Sequence, residues 1–395
     1  MLVSILSLVL FVGCGKEDDT PVTVKVEFGF SGNDGDEVDG VKTFSSPKGA
    51  IDYFASANLG DVQKIVKFSA GTFEQKLLIP KEVTNLRFIG SESGETKLTF
   101  MDYASMYDDA DVKDRTEKAW AVKVSGNGFM AKNITFENSF NYINPPKGAS
   151  DLQGLAIYVD ADKCVFEKCT FLGVQDTLES AFGRHYYKDC TIKGAVDYIF
   201  GINATAVFEN CDVININRNK KGGYIAVTKG NNGGKGIEVP KFGFVFNGCR
   251  LTAEGSIAQG TICLGRPWGQ DATVAYLNCE MGAHIGKSAF GRGTDARYTN
   301  MTEYDHVNYP HAVNYYEYNN TGDGATQEIL LPKISRRENY QTIIEEPDVP
   351  DFKHLTAEQA GEYTLTNIFA KTNGGVTYDA DWDAAASLTA LQNIN

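Results

Sequence analysis

Histidine is scarce in this chain. Only His185, His284, His306, His311 and His354 occur among 395 residues, and they do not group. A Ser-His-Asp triad therefore has no support in the sequence. There is also no G-x-S-x-G, H-E-x-x-H or C-x-x-C pattern, which removes the common serine-hydrolase, metalloprotease and zinc or redox signatures. Basic clusters are missing and the formal net charge is −14, which argues against nucleic acid as a partner, because phosphate binding needs such clusters. No apolar run is long enough to span a bilayer. What remains for acid–base chemistry is the carboxylates. The overall negative charge itself reads as solubility.

Glycine is abundant, at 40 residues, and tyrosine and phenylalanine number 19 and 23. Many turns and many aromatics favour strands over helices. Residues Leu2 to Val12 are almost wholly apolar, end in Phe11-Val12-Gly13-Cys14, and run straight into the polar Gly15-Lys16-Glu17-Asp18-Asp19. This junction resembles a bacterial lipoprotein lipobox, which implies acylation of Cys14. An ordinary cleaved signal peptide is the alternative. Both imply export, either to the outer membrane or cell surface through a lipid anchor or to the periplasm or medium. Residues 15–40 are polar, acidic and glycine-rich, and read as a flexible tether.

A repeat then takes over. Val165-Phe166-Glu167-Lys168-Cys169-Thr170-Phe171, Tyr186-Tyr187-Lys188-Asp189-Cys190-Thr191-Ile192 and Val207-Phe208-Glu209-Asn210-Cys211-Asp212-Val213 share one pattern. Two further copies end at Leu251 and Met281, and an earlier one places Asn133 where the others have cysteine. Cys169, Cys190 and Cys211 lie 21 residues apart. A period of that size built from short strands means stacked coils. Coils spaced by about 4.8 Å bury one continuous core and satisfy each other's backbone groups. Parallel connections of this kind are right-handed. The predicted fold is all-β: a right-handed, single-stranded parallel β-helix with short capping helices, over residues 41–390. The cysteine column is equally compatible with buried thiols and with a disulfide such as Cys190–Cys211. The segment Gly49 to Ala57 is predicted to cap the first coil. Residues 355–371 are predicted to form a C-terminal helix opened by a capping box, Thr356 with Gln359. Two excursions, Asn141 to Asp151 and Arg218 to Gly243, are predicted to wall a cleft.

Periodicity also singles out two acids. Asp176, in Gly173-Val174-Gln175-Asp176-Thr177-Leu178, and Asp197, in Val196-Asp197-Tyr198-Ile199-Phe200-Gly201, are 21 residues apart. Gln153 precedes Gln175 by 22. One coil separates each pair, so Gln153, Gln175–Asp176 and Asp197 should form one column on one face. Asp197 sits in an apolar run and needs a partner or a raised pKa.

These segments, together with Gln153-Gly154-Leu155-Ala156-Ile157 and Leu264-Gly265-Arg266-Pro267-Trp268, resemble the four signature motifs of the pectin methylesterases, in the family's order. The similarity covers roughly residues 40 to 385, and the departures (Phe73, Gln75 and Gly154) remove no catalytic group. The resemblance implies that Asp197 is the nucleophile toward a galacturonate methyl ester and that Asp176 is the general acid/base. It also implies that Gln175 and Gln153 stabilise the oxyanion, that Arg266 orients Asp197 and keeps its pKa low, and that Trp268 and Tyr198 bind substrate. No cofactor and no metal is implied; the implied partner is methylated pectin, and an extended monomer is the default state. Rival readings are a related esterase for another acyl ester, a non-catalytic pectin-binding surface module, and a β-helical lyase or hydrolase.

Overall fold

The computed structural model describes residues 20–107, 115–219, 222–230, 238–268, 271–290, 296–298, 313–326, 334–338, 341–345 and 352–394. Cys14 lies outside the described residues. Three long sheets, of 13, 8 and 9 strands, run side by side along the molecule, parallel throughout except where Asp36–Val38 joins the edge of the first antiparallel to Val41–Phe44. The chain visits each in turn. Cys164–Glu167 lies in the 13-stranded sheet, Thr170–Leu172 in the 8-stranded sheet and Leu178–Phe182 in the 9-stranded sheet. Arg184–Lys188, Thr191–Gly194 and Val196–Gly201 then repeat the circuit one level on. This is the stacked coil expected from the period.

Register is kept residue by residue. Phe166 pairs with Tyr187, Tyr187 with Phe208, Phe208 with Phe246, and Phe246 with Tyr276. Their rings stack inside the helix at 4.9, 4.6, 4.6 and 4.6 Å, within 10° of parallel. The stacking distance is close to the rung spacing, so one aromatic per coil meets the next at van der Waals contact.

The corner after each of these strands carries a left-handed residue: Asn133, Lys168, Asp189, Asn210, Gly248, Asn278 and Asn319, with φ between 50° and 65°. Asn and Asp tolerate that conformation best among residues with a side chain. The cysteine comes next. Strand register pairs Lys132 with Glu167 and Thr135 with Thr170, so Asn133 matches Lys168 and Ile134 takes the cysteine level. The sequence reading set Asn133 against the cysteines; the register places it one residue earlier, at the corner.

All seven cysteines from Cys164 to Cys279 are buried and unpaired. Each thiol of the column donates to a carbonyl of the preceding coil: Cys190 to Phe166 at 3.4 Å, Cys211 to Tyr187 at 3.5 Å, Cys249 to Phe208 at 3.2 Å. Of the two readings of the column, buried thiols are the one observed.

The acidic tether is corrected. Val22–Val26 is a strand of the 13-stranded sheet, paired in register from Val22↔Lys64 to Val26↔Phe68. Val24 and Val26 alternate inward and are fully buried, which outweighs the polar composition around them. The described solenoid therefore begins before residue 41. The helix Pro47–Ser56, capped by Ser46, closes that end by burying Ala50, Ile51 and Phe54. At the other end the capping box Thr356–Gln359 forms, yet its helix is only Ala357–Gly361. A second short helix, Leu365–Ile368, follows, where one helix over 355–371 was expected. The break comes at Thr364, whose side chain caps the second helix in place of continuing the first. A last helix, Ala384–Gln392, completes a strap laid over the outer face of the 13-stranded sheet. The excursion from Arg218 also contains a true rung, Gly223–Thr228.

We expect the seven thiols from Cys164 to Cys279 to be unreactive toward a thiol reagent in the native protein. All seven should titrate after unfolding without reductant. A shortfall in that count would reveal a disulfide and reverse the assignment.

Candidate active site

The 9-stranded sheet carries the acids. Gln175 and Val196 form a parallel bridge, and the Asp176 amide donates to the Val196 carbonyl at 3.0 Å. Asp176 and Asp197 thus occupy equivalent places on adjacent rungs. Both have left-handed backbone, φ 60° and 50°. At Asp197 the register against the next strand slips. Val196 pairs with Tyr224 and Ile199 with Ala226, so one extra residue is accommodated as a bulge. Gln153 lies one coil earlier, where the Gly154 amide donates to the Gln175 carbonyl at 3.1 Å. The column of Gln153, Gln175–Asp176 and Asp197 is therefore assembled as the spacing implied.

Arg266 enters from two rungs further on. Its strand, Ile262–Gly265, pairs with Gly223–Thr228, which in turn pairs with Val196–Gly201. The guanidinium crosses the intervening rung by lying over the Tyr224 ring, 4.6 Å from its centre, and its Nη2 donates to Asp197 Oδ2. Aromatic support and a charge-assisted hydrogen bond together fix the cation. Trp268 follows, packed on Phe200 at 5.9 Å in an outward-facing cluster with Leu155, Tyr158, Ala181 and Val227.

Both carboxyls are almost fully buried, at 2% and 1% exposed. Burial pushes Asp197 up; the charge and hydrogen bond of Arg266 pull it back, helped by the charge of Arg218, and it comes to rest at about 6. Burial, then the charge of Asp197, pushes Asp176 well above the carboxylate range, with Arg266 opposing. The order expected from sequence, Asp197 below Asp176, is kept. The low pKa expected for Asp197 is not, because desolvation exceeds what one guanidinium, itself 24% exposed, returns. Several polar atoms here have no partner among the described residues: Asp176 Oδ1, Asp197 Oδ1, Gln153 Oε1, Arg266 Nε and Trp268 Nε1. Buried polar atoms left open in one cluster are what a polar ligand would satisfy. Among the described residues no three His, Cys, Asp or Glu side chains are placed to hold a metal.

Tyr198 is a correction. It is fully buried in the solenoid core, against Gly194, and cannot meet a substrate. The bulge at Asp197 turns the acid outward and the following ring inward. Sequence reasoning missed Tyr224, which no motif contains. It also missed Arg218, whose Nη1 donates to Tyr142 at 3.2 Å, joining the two excursions.

Residues 37–351 match the family model described as Pectinesterase. Pectinesterase 31 of Arabidopsis thaliana is 34% identical over 274 residues, 67% of this chain and 80% of the relative. Pectinesterase 4 of the same plant is 30% identical over 305 residues, 75% of this chain but 47% of that longer protein. The solved pectin methylesterase from carrot shares the fold, with TM-score 0.63, 21% identity and coverage of 89% and 97% of the two chains. Fold and family match together define a carboxylic ester hydrolase on a right-handed parallel β-helix. The chain belongs to the pectinesterase family.

A buried acid with a raised pKa opposes folding once its unfolded counterpart has ionised near pH 4. Stability of the native protein should therefore fall as pH rises above that value. Asp176→Asn removes this burden. At about pH 8 the variant should be more stable by on the order of 1 kcal/mol, and below about pH 4 the difference should vanish. Equal melting curves for the two proteins at the higher pH would contradict the burial argument.

Proposed function

We propose that this protein removes the methyl esters of pectin, releasing methanol and leaving pectate, through a covalent intermediate on Asp197. The observation that carries the reading is the pairing of two buried acids on adjacent rungs, only one of which is bonded to a guanidinium.

Asp197, held ionised by Arg266, attacks the ester carbonyl carbon of a galacturonosyl unit. The amides of Gln175 and Gln153 donate to the oxygen that becomes negative. The tetrahedral species collapses, the C–O bond to the methoxy group breaks, and Asp176 gives its proton to the leaving methanol. An anhydride between Asp197 and the sugar's carboxyl remains. Asp176, now a carboxylate, takes a proton from water. The hydroxide adds to the sugar's carbonyl carbon, and the bond to Asp197 breaks. Asp197 leaves as a carboxylate, so both acids return to their starting states. The differing surroundings of the two acids suit one as nucleophile and the other as proton donor at a single pH. Trp268, on the outward apolar cluster, serves as a platform for a sugar ring.

An esterase for another acyl ester would share this machinery. A simple aryl ester assayed beside highly methylated pectin separates the two. Asp197→Ala should lower methanol release by at least about 10³-fold with the fold intact, and Asp176→Asn by about 10²–10⁴-fold. The kcat/KM profile should rise through about pH 6 as Asp197 ionises, then fall where Asp176 loses its proton. Near-normal turnover in Asp197→Ala would end the assignment.

On the lipobox-like junction Phe11-Val12-Gly13-Cys14 we further propose that the protein is an exported lipoprotein acylated on Cys14. Labelling with a fatty-acid analogue should mark the parent and not Cys14→Ser; equal labelling would refute the anchor.

A further inference from the structure

Three residues after Asp176, the strand Leu178–Phe182 turns Glu179 toward the same outward face as Trp268. Leu178, one place earlier, is in the core. In register, Glu179 sits between Tyr158 on one neighbouring strand and Phe200 on the other, both members of the outward cluster. The carboxyl is 1% exposed, and its Oε2 has no hydrogen-bond partner. It makes no ion pair among the described residues. A buried carboxyl between two aromatic rings with an open oxygen is costly unless something else comes to meet it.

The charged groups around it do not neutralise it. Glu117, on the short turn Thr116–Lys118, and Asp176 add negative charge; Lys123 and Lys229 oppose them. Lys123 is committed to the ring of Tyr158, 4.1 Å from its centre. Burial first, then Glu117 and Asp176, push Glu179 well above the usual carboxylate range. A sugar spread across this face would therefore rest on a dry patch that already holds Asp176, Asp197 and Glu179.

We propose that Glu179 is a specificity-determining residue that selects the sugar beside the reacting unit, admitting a methyl-esterified galacturonosyl unit and rejecting one with a free carboxylate. This rests on the pectin reading given above. The ester is neutral and costs nothing electrostatically. Where Glu179 is ionised, a free carboxylate stands as a second anion against it in a low-dielectric site, a like-charge juxtaposition that weakens binding; where Glu179 keeps its proton, its O–H can donate to that carboxylate and the penalty is absent. Rejection therefore strengthens as pH rises and Glu179 loses its proton. The enzyme slows on stretches it has already stripped.

The test compares kcat/KM per methyl ester on homogalacturonan of high ester content and on the same polymer randomly de-esterified to about half, at about pH 5 and about pH 8. For the parent enzyme the ratio of the two values should widen at least about fivefold between the two pH values. In Glu179→Gln, which keeps the shape and loses the charge, the ratio should widen less with pH than in the parent, what change remains coming from Asp197, and should be about tenfold smaller at the higher pH. Glu179→Met serves as a second uncharged variant if the glutamine form folds poorly. A parent ratio that does not change with pH, or variants that keep the parent's ratio, overturns the proposal while leaving pectin hydrolysis standing. No methanol from either polymer in the parent enzyme would instead remove the pectin reading, and this inference with it.

Discussion

The parallel register between successive coils is the constraint on which the rest depends. A coil cannot bury its own inner face, so its apolar residues find partners only at the same position one level up or down. That requirement sets a ring over a ring from Phe166 to Tyr276 and a thiol under a carbonyl from Cys190 to Cys279. It also sets one left-handed corner above another. A slip of one residue in any coil would turn its inward set outward. The acids exploit the same rule. Two positions one coil apart must be neighbours, whatever lies between them in the chain.

At the site, the register is obeyed and then locally broken. Asp176 and Asp197 keep their pairing, but left-handed backbone at both and an extra residue at Asp197 let a carboxylate emerge from an otherwise inward-facing run. The cost appears as two desolvated acids with open oxygens, which folding alone would not favour. Arg266 offsets part of it for Asp197 only. The resulting inequality between two like groups is the useful property: one carboxyl ionises more readily than its neighbour, and no third titrating group is required.

Much of this was legible in the sequence because the period is in the sequence. Cysteines at 21-residue intervals gave the coil length, and the same interval between Asp176 and Asp197 gave their adjacency. Arg266 could be placed only through its resemblance to a motif, since 69 residues separate it from Asp197 and its route over Tyr224 depends on which rung Gly223–Thr228 fills. Tyr198 was misplaced because alternation is suspended at a bulge, and a bulge leaves no mark in composition. Val22–Val26 was overlooked because five strand residues stood among acids and glycines that describe a linker. The balance of desolvation against one guanidinium, which leaves Asp197 at about 6, is a matter of three-dimensional burial that no spacing reports.

The strap formed by the last 40 or so residues has a further effect on how the molecule comes apart. Solenoids with nearest-neighbour contacts alone can fray coil by coil from either tip. Here Lys132 bonds the carbonyl of Ile394, Glu167 the amide of Gln392, Arg184 the carbonyls of Phe369 and Ala380, and Asn373 the hydroxyl of Thr205. Those four anchors belong to four successive coils, and beneath them Met130, Val165, Tyr186 and Val207 share one apolar seam with Ile368, Phe369, Trp382 and Leu391. Central coils are thereby ties in one long-range loop, and none can open without loosening its neighbours. The strap turns a stack of separable turns into a single cooperative unit, with Asp176 and Asp197 in the middle of the clasped region, far from any fraying tip.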